Sequence, residues 1–246
     1  MDAVILVGGF GTRLRPMTAD IPKPLLPICD SSTLDTNLHR LREGGVTRVF
    51  LAAGHLSHML EASVGDGSKW DLDVRISTEE KPLGTAGPLS LLRAELRSPF
   101  ILMNGDILTT FDFSKFRTQA SKSGAVISAV TTTVAVRLLY GRVLTTGEYI
   151  TAVEEKPDVP VEILAGIYLV DSSALTEIPD DTFFGMDQLI AKLLDQGKKI
   201  HRYVTSAYWR DIGEPKHYEK AQEDYPLLFS RTEPQRLYTA ASNIDS

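Results

Sequence analysis

The chain has a single cysteine, Cys29, among 246 residues, so it cannot build an internal disulfide framework, and a disulfide-stapled secreted fold is excluded. Nowhere do about 18 apolar residues run without interruption, the length a membrane-spanning helix needs. The opening MDAVILVGG also lacks the basic segment of a secretory leader. The cytoplasm is therefore the expected compartment, and a membrane is not an expected partner. Lys and Arg number 26 against 32 Asp and Glu, a formal net charge of −6. A protein that grips nucleic acid by its phosphates favours the opposite balance, so nucleic acid is not an expected partner either. The five histidines fall at no zinc-like spacing, and no repeat or low-complexity linker interrupts the chain. What remains, at 43% hydrophobic and 24% charged residues, is a chain long enough to bury a full core.

In the first half, strand and helix patterns alternate. Val4–Val7 reads as a buried strand. Ser31–Thr33 then offers N-cap side chains to a helix with Leu34, Leu38 and Leu41 on one face, stopped by Gly44–Gly45. Arg48–Ala53 reads as a strand, Leu56–Val64 as a helix, Leu72–Ser77 as a strand, Pro88–Leu96 as a helix and Phe100–Met103 as a strand. Such units predict an α/β, Rossmann-like, doubly wound fold with a mainly parallel sheet. Further on, Ala125–Val136 is a long β-branched run, followed by short strand patterns at Arg142–Leu144, Ile150–Glu154 and Ile163–Val170, which predict a small β-rich subdomain. Amphipathic helices near Asp187–Leu194 and Pro215–Tyr225 flank the segment YWRDIG. The expected organisation is one domain over 1–230, with parts at about 1–120, 121–205 and 206–230, and a loosely ordered polar tail over 231–246.

The chemistry is concentrated in GGFGTRLRP, directly behind the first strand, and in KPLLP soon after it. Crowded glycines let a backbone approach a ligand closely, and two arginines and a lysine beside them suit an anion, phosphate first of all. The spacing is neither the dinucleotide fingerprint G-x-G-x-x-G nor the P-loop G-x-x-x-x-G-K-[ST]. The plainer alternative is a Gly-rich turn with exposed basic residues. Gly8, Gly9, Gly11, Thr12, Arg13, Leu14 and Pro16, then Lys23, Pro24, Leu25 and Pro27, spell G-G-x-G-T-R-L-x-P followed by K-P-L-x-P. Over nearly the whole chain the sequence resembles the sugar-1-phosphate nucleotidyltransferases, whose signature this is.

That resemblance implies a set of roles. Leu6, Gly8, Gly9, Gly11, Thr12, Glu79, Gly84 and Asn104 would bind the nucleotide, and Arg13 and Lys23 would act on the reacting phosphates. In NGD and in YWRDIG, Asp106 and Asp211 would hold Mg²⁺; two carboxylates completed by phosphate oxygens and water suit that hard, octahedral cation. The β-rich part would receive the sugar phosphate. Lys156 of VEEKPD would hold its phosphate, Glu155 its hydroxyls, and Gly141 and Gly166 would let backbone approach the sugar ring. A turn aspartate and a charged surface hairpin are the plainer readings of Asp106 and of VEEKPD. One position departs from the family: Leu164 stands before AGIY where Asn is common, which removes a polar group from the sugar side.

Base choice turns on TEEKPLGTAG, where PLGTAG resembles the guanylyltransferase branch. Glu79 is an acceptor-only group that suits the adjacent N1–H and N2–H₂ donors of guanine, and it would repel the carbonyls flanking N3–H of thymine or uracil. Glu80 is the alternative for this role. The expected reaction is Mg²⁺-assisted in-line transfer of a nucleotidyl group from GTP to a sugar 1-phosphate or a sugar-like cyclitol 1-phosphate, releasing pyrophosphate. Uridylyl or thymidylyl transfer, a non-catalytic nucleotide-sugar-binding regulator and a nicotinamide-dependent reductase are the competing readings. A homodimer is compatible with the sequence and not dictated by it.

Overall fold

Alternating apolar strands and amphipathic helices give the layered architecture that the sequence predicts. The computed structural model describes residues 1–9, 11–54 and 56–229; the expected tail over 231–246 lies outside them. In chain order the elements are β1 (Asp2–Leu6), two short strands β2 (Pro27–Ile28) and β3 (Ser31–Ser32), α1 (Thr33–Glu43), β4 (Arg48–Ala53), α2 (Ser57–Val64), β5 (Asp73–Thr78), β6 (Phe100–Asn104), β7 (Ile107–Thr109), α3 (Phe113–Ala120), β8 (Ile127–Arg137), β9 (Arg142–Thr146), β10 (Tyr149–Glu154), β11 (Asp158–Val170), α4 (Met186–Asp195), β12 (Ile200–Val204), β13 (Trp209–Asp211) and α5 (Pro215–Leu228). Seven strands form one sheet in the order β12-β8-β11-β6-β1-β4-β5. Only β11 runs against its neighbours, antiparallel to β6 and β8; the other pairings of the sheet are parallel.

Side chains alternate across a strand, so a sheet covered on both faces must be apolar at every position. β1, β4 and β6 meet that demand. Ala3, Ile5, Val49, Leu51, Ala53, Ile101 and Met103 enter one core with α1, α2 and α3, while Val4, Phe50, Ala52, Phe100 and Leu102 enter a second with α4. Helix α1 starts where expected: the Ser32 hydroxyl accepts the Asp35 amide at 3.1 Å. Leu34, Leu38 and Leu41 are buried, and Gly44 caps the end. No helix among the described residues is long and apolar enough to cross a membrane.

Two of the expected elements differ in the structure, and α3, β7 and β12 were not expected at all. The stretch expected to be helical from Pro88 forms only a 3₁₀ run, Gly87–Leu92. It starts at Gly-Pro with no side-chain cap, and the amides of Ala86 and Gly87 are taken by the Phe184 carbonyl, both at 2.9 Å. Strand β11 begins at Asp158 rather than Ile163 and accommodates Pro160, because its outer half pairs with β8 alone and so asks for fewer ladder donors. The outer parts of β8 and β11, with the hairpin β9–β10, make up the expected β-rich part.

Asp2 is fully buried and is held by Arg48 and by the Arg97 amide at 2.9 Å. Arg48 also donates to the Glu95 carbonyl at 2.7 Å and lies over the Phe50 ring, 4.8 Å from its centroid. Asp2→Ala leaves that guanidinium without its counter-charge and should cost about 3–5 kcal/mol of stability. The measurement is urea unfolding, with a lowered midpoint and an unchanged slope expected.

Candidate functional site: a glycine-lined cleft beside a lysine–aspartate cluster

Strand β6 ends in Asn104, and the NGD turn leads directly into β7. Across from it, β13 pairs antiparallel with β7, Asp211 opposite Ile107, and the Ile212 amide donates to the Asp106 carbonyl at 3.0 Å. This short ladder brings two carboxylates together from distant parts of the chain. Lys23, at the start of a 3₁₀ turn with Pro24, is 8% exposed. Its ammonium bonds the Asp106 carboxylate and lies 3.7 Å from that of Asp211. Arg13 is exposed and pairs with Glu214 at 3.0 Å.

Gly213 is the point where these groups converge. Its amide donates to Asp211 Oδ1 at 2.6 Å. A Cβ at this position would stand 2.7 Å from that oxygen and 3.0 Å from both Arg13 Nη2 and Lys23 Nζ, so no larger residue fits without displacing charged groups. Neither Gly213 nor Glu214 was expected from the sequence. The signal was the glycine two residues after Asp211 in RDIG. Among the described residues no cluster of three His, Cys, Asp or Glu side chains forms a metal cage. Asp106 and Asp211 still fit Mg²⁺, which commonly takes one or two carboxylates and completes its shell with phosphate oxygens and water. That Lys23 reaches both carboxylates marks the spot as one that attracts positive charge.

Next to this cluster lies a cleft of about 290 Å³ at the C-terminal ends of the parallel strands, lined by Leu6, Gly8, Gly9, Glu79, Gly84, Asn104 and Asp106 together with Ala52, Pro82, Thr85, Pro88 and Phe183. This is where open α/β sheets hold their ligands. Glu79 is half-buried, and Glu80 is exposed. Glu79 Oε2 accepts the Leu83 amide at 2.9 Å, and a Cβ on Gly8 would stand only 2.1 Å from its Oε1. Burial pushes the Glu79 carboxyl above its ordinary value, an effect that the Leu83 amide opposes. A larger groove, about 950 Å³, lies between α1 and the end of α5 and is lined by none of the expected site residues. Its size does not make it the site.

The other expected residues are distributed as follows. Gly11 accepts the Thr18 hydroxyl at 2.7 Å through its carbonyl, and Thr12 and Arg13 open the next 3₁₀ turn; none of the three lines the cleft. Gly141, Glu155 and Lys156 meet at the open end of the β9–β10 hairpin. Glu155 Oε2 is 3.5 Å from the Cβ position of Gly141, and Lys156 lies 3.7 Å from Glu155, with both side chains well exposed. Gly166 lies on another strand. It sits on the irregular part of β11, and a Cβ there would stand 2.6 Å from Asn104 Nδ2, which puts it beside the cleft. Leu164 is opposite Thr131 on β8 and is 44% exposed.

A parallel sheet with a glycine-walled cleft at its strand ends, and carboxylates with a buried lysine at the cleft's edge, defines an α/β enzyme that handles nucleotide phosphates. The family described as "Nucleotidyl transferase" matches residues 2–226. A mannose-1-phosphate guanyltransferase of Schizosaccharomyces pombe is 34% identical over 99% of this chain and 69% of its own length. A mannose-1-phosphate guanylyltransferase of Mycobacterium tuberculosis is 33% identical over 91% of this chain and 64% of its own length. The chain thus spans about two thirds of these relatives. Among solved structures, HddC from Yersinia pseudotuberculosis complexed with GMP-PN superimposes with a TM-score of 0.71 at 28% identity, covering 91% of this chain and 99% of that one. A UTP-bound UGPase from Acinetobacter baumannii shares the fold, with a TM-score of 0.71 at 19% identity over 95% of this chain and 94% of that one. The chain belongs to the nucleotidyltransferase family, on its sugar-1-phosphate guanylyltransferase branch.

The raised carboxyl of Glu79 has a consequence for stability. A carboxyl raised by burial favours the neutral form in the fold, so the ionised side chain costs stability at neutral pH, and that cost is absent below the ordinary glutamate value. Glu79→Gln keeps an acceptor for the Leu83 amide and removes the charge. It should melt higher than wild type at pH 7, with the gap closing as the pH falls toward about 4. Thermal unfolding at a series of pH values measures this; a variant that melts lower at pH 7 contradicts the assignment of burial as the dominant influence.

Proposed function

We propose that the chain transfers the guanylyl group of GTP to a sugar 1-phosphate, giving a GDP-sugar and pyrophosphate. The observation that carries this reading is the buried Lys23, held between Asp106 and Asp211 at the edge of the glycine-walled cleft. A phosphate oxygen of the acceptor attacks the α-phosphorus of GTP. The new P–O bond forms as the bond from the α-phosphorus to the bridging oxygen breaks, and pyrophosphate leaves with the electron pair. Two polyanions must be brought together, so the protein's share of catalysis is positioning and fixed positive charge.

In this reading Lys23 moves from the carboxylates onto the reacting phosphates, and Arg13 stabilises charge on the leaving pyrophosphate. Backbone amides at Gly8, Gly9 and Gly11 face the triphosphate. Asp106 and Asp211 would hold Mg²⁺, which when bound neutralises phosphate charge as a Lewis acid. Gly213 keeps Asp211 in place and leaves room for Arg13 and Lys23. Lys156 grips the acceptor phosphate and Glu155 its hydroxyls, with Gly141 open beside them, while Glu79 accepts from guanine.

The names of the relatives support mannose 1-phosphate as the first acceptor to test, and the GMP-PN in the HddC complex supports a guanine nucleotide. The cytoplasm is the proposed compartment, supported by the single cysteine. A homodimer belongs to the same proposal, supported by the apolar side chains that the hairpin region exposes, among them Tyr140, Tyr149, Ile150 and Val153.

Incubation with each NTP and a panel of sugar 1-phosphates, with mass detection of the product, tests the reading: a GDP-sugar is expected, and a preference for UTP or dTTP would overturn the guanylyl assignment. Asp106→Asn and Asp211→Asn should each lower kcat by a factor on the order of 10² or more, and EDTA should mimic both. The two lysines should separate in steady-state kinetics. Lys156→Ala should raise the KM for the sugar phosphate, whereas Lys23→Ala should depress kcat as well. An unchanged sugar-phosphate KM in Lys156→Ala would remove that residue from the site.

A further inference from the structure

The loop ahead of α4 contains PDDTFFG, with two adjacent phenylalanines in a polar stretch. Phe184 packs against the second core. Phe183 leaves 64% of its surface exposed and lines the nucleotide cleft beside Pro82, Gly84 and Pro88. An isolated exposed phenylalanine needs no explanation, but this one is held in place. The Phe184 amide donates to the Leu83 carbonyl at 2.9 Å, and the Phe184 carbonyl accepts the amides of Ala86 and Gly87, both at 2.9 Å. The Met186 amide donates to the Thr85 hydroxyl at 2.8 Å, and Lys81 pairs with Asp181 at 2.8 Å. The loop that carries Phe183 and the loop that carries Gly84 are therefore joined on both sides of Phe183, at Asp181 and at Phe184 and Met186.

An exposed aromatic ring lining a cleft, with Pro82, Pro88 and Leu6 among the other lining residues, offers flat hydrophobic surface to a flat ligand. Its own face has no hydrogen-bonding groups, so what it rewards is the area and polarisability of the ring laid against it. We infer that Phe183 stacks on the base of the bound nucleotide and selects purines by surface, independently of the edge that Glu79 reads. A purine covers more of the phenyl ring than a pyrimidine does. Base choice is thus divided between two side chains on the two joined loops: a carboxylate for the edge and an aromatic ring for the face. This inference rests on the proposal that a nucleoside triphosphate occupies this cleft.

The experiment is calorimetric titration of the full chain with GTP and with UTP, without sugar phosphate, for wild type, Phe183→Ala, Phe183→Leu and Phe183→Trp. Phe183→Ala should weaken GTP binding by about 5- to 150-fold, the range of one base–aromatic stack, and UTP binding clearly less. Phe183→Leu, which keeps apolar volume without the aromatic face, should fall between wild type and Ala. Phe183→Trp should retain GTP affinity, and its fluorescence should drop on adding GTP by more than any change from Trp70 and Trp209 in wild type. Wild-type GTP affinity in Phe183→Ala overturns the stacking, and an equal loss for GTP and UTP overturns the selection of purines; either leaves the nucleotide in its cleft. A wild-type protein that binds neither nucleotide overturns the occupancy on which the inference rests.

Discussion

Everything in the site follows from the need to hold two carboxylates close together without letting them push apart. Asp106 and Asp211 come from segments far apart in the chain that the β7–β13 ladder and the Ile212–Asp106 backbone bond bring side by side. Like charges at such range favour opening of that ladder unless a cation is near. Lys23 supplies it from the first loop of the chain, its own ammonium buried while the carboxylates stay partly open to water. Three remote segments are thus tied at one point. The Gly213 amide on Asp211 and the room left by the missing Cβ complete the arrangement. The same charges that stabilise the fold locally are the ones that would be redistributed when phosphates arrive.

The sheet and the loops divide the work. The parallel strands β1, β4 and β6 are apolar on both faces and fix the cleft through backbone position, so the groups that meet a ligand there are mostly glycines and strand-end residues rather than long side chains. Charged chemistry is placed on the turns that follow. The groups proposed to set specificity sit further out, Glu79 and Gly84 on one loop and Glu155 and Lys156 just after the β9–β10 hairpin. Under that proposal, substitutions on those outer segments would change ligand choice without disturbing the core, since function resides in sites carried by a fold rather than in the fold itself.

Much of this was legible in the sequence. Local rules suffice for α1, where Ser32, the leucine spacing and Gly44 state the start, the face and the end of the helix. They suffice for β4 and β6 as well, because a buried parallel strand reads as an unbroken apolar run. The GGFGTRLRP and KPLLP strings pointed to phosphate through residue chemistry, and the structure brings Lys23 against both aspartates. Local rules failed where a tertiary partner overrode them. The 3₁₀ run at Gly87–Leu92 is set by the Phe184 carbonyl nearly a hundred residues on, and no window around Pro88 contains that information. The closeness of Gly166 to Asn104 is set by the irregularity of β11 and is likewise invisible in its motif. Gly213 and Phe183 were missed for the same reason. Each owes its significance to neighbours from other segments, and neither belongs to a periodic pattern.

The position of β13 in the chain separates building the protein from arming it. The seven-stranded sheet is complete once β12 has been made, at Val204, while Asp211 and Gly213 come just afterwards and α5 later still. Synthesis runs from the N-terminus at about 5–20 residues per second, and domains generally fold as units during or after it. A nascent chain ending just past β12 therefore has every strand of the main sheet and a Lys23 facing one carboxylate instead of two. The charge cluster is completed only by the last short strand, so premature termination before it leaves a chain with the whole main sheet and half of that cluster.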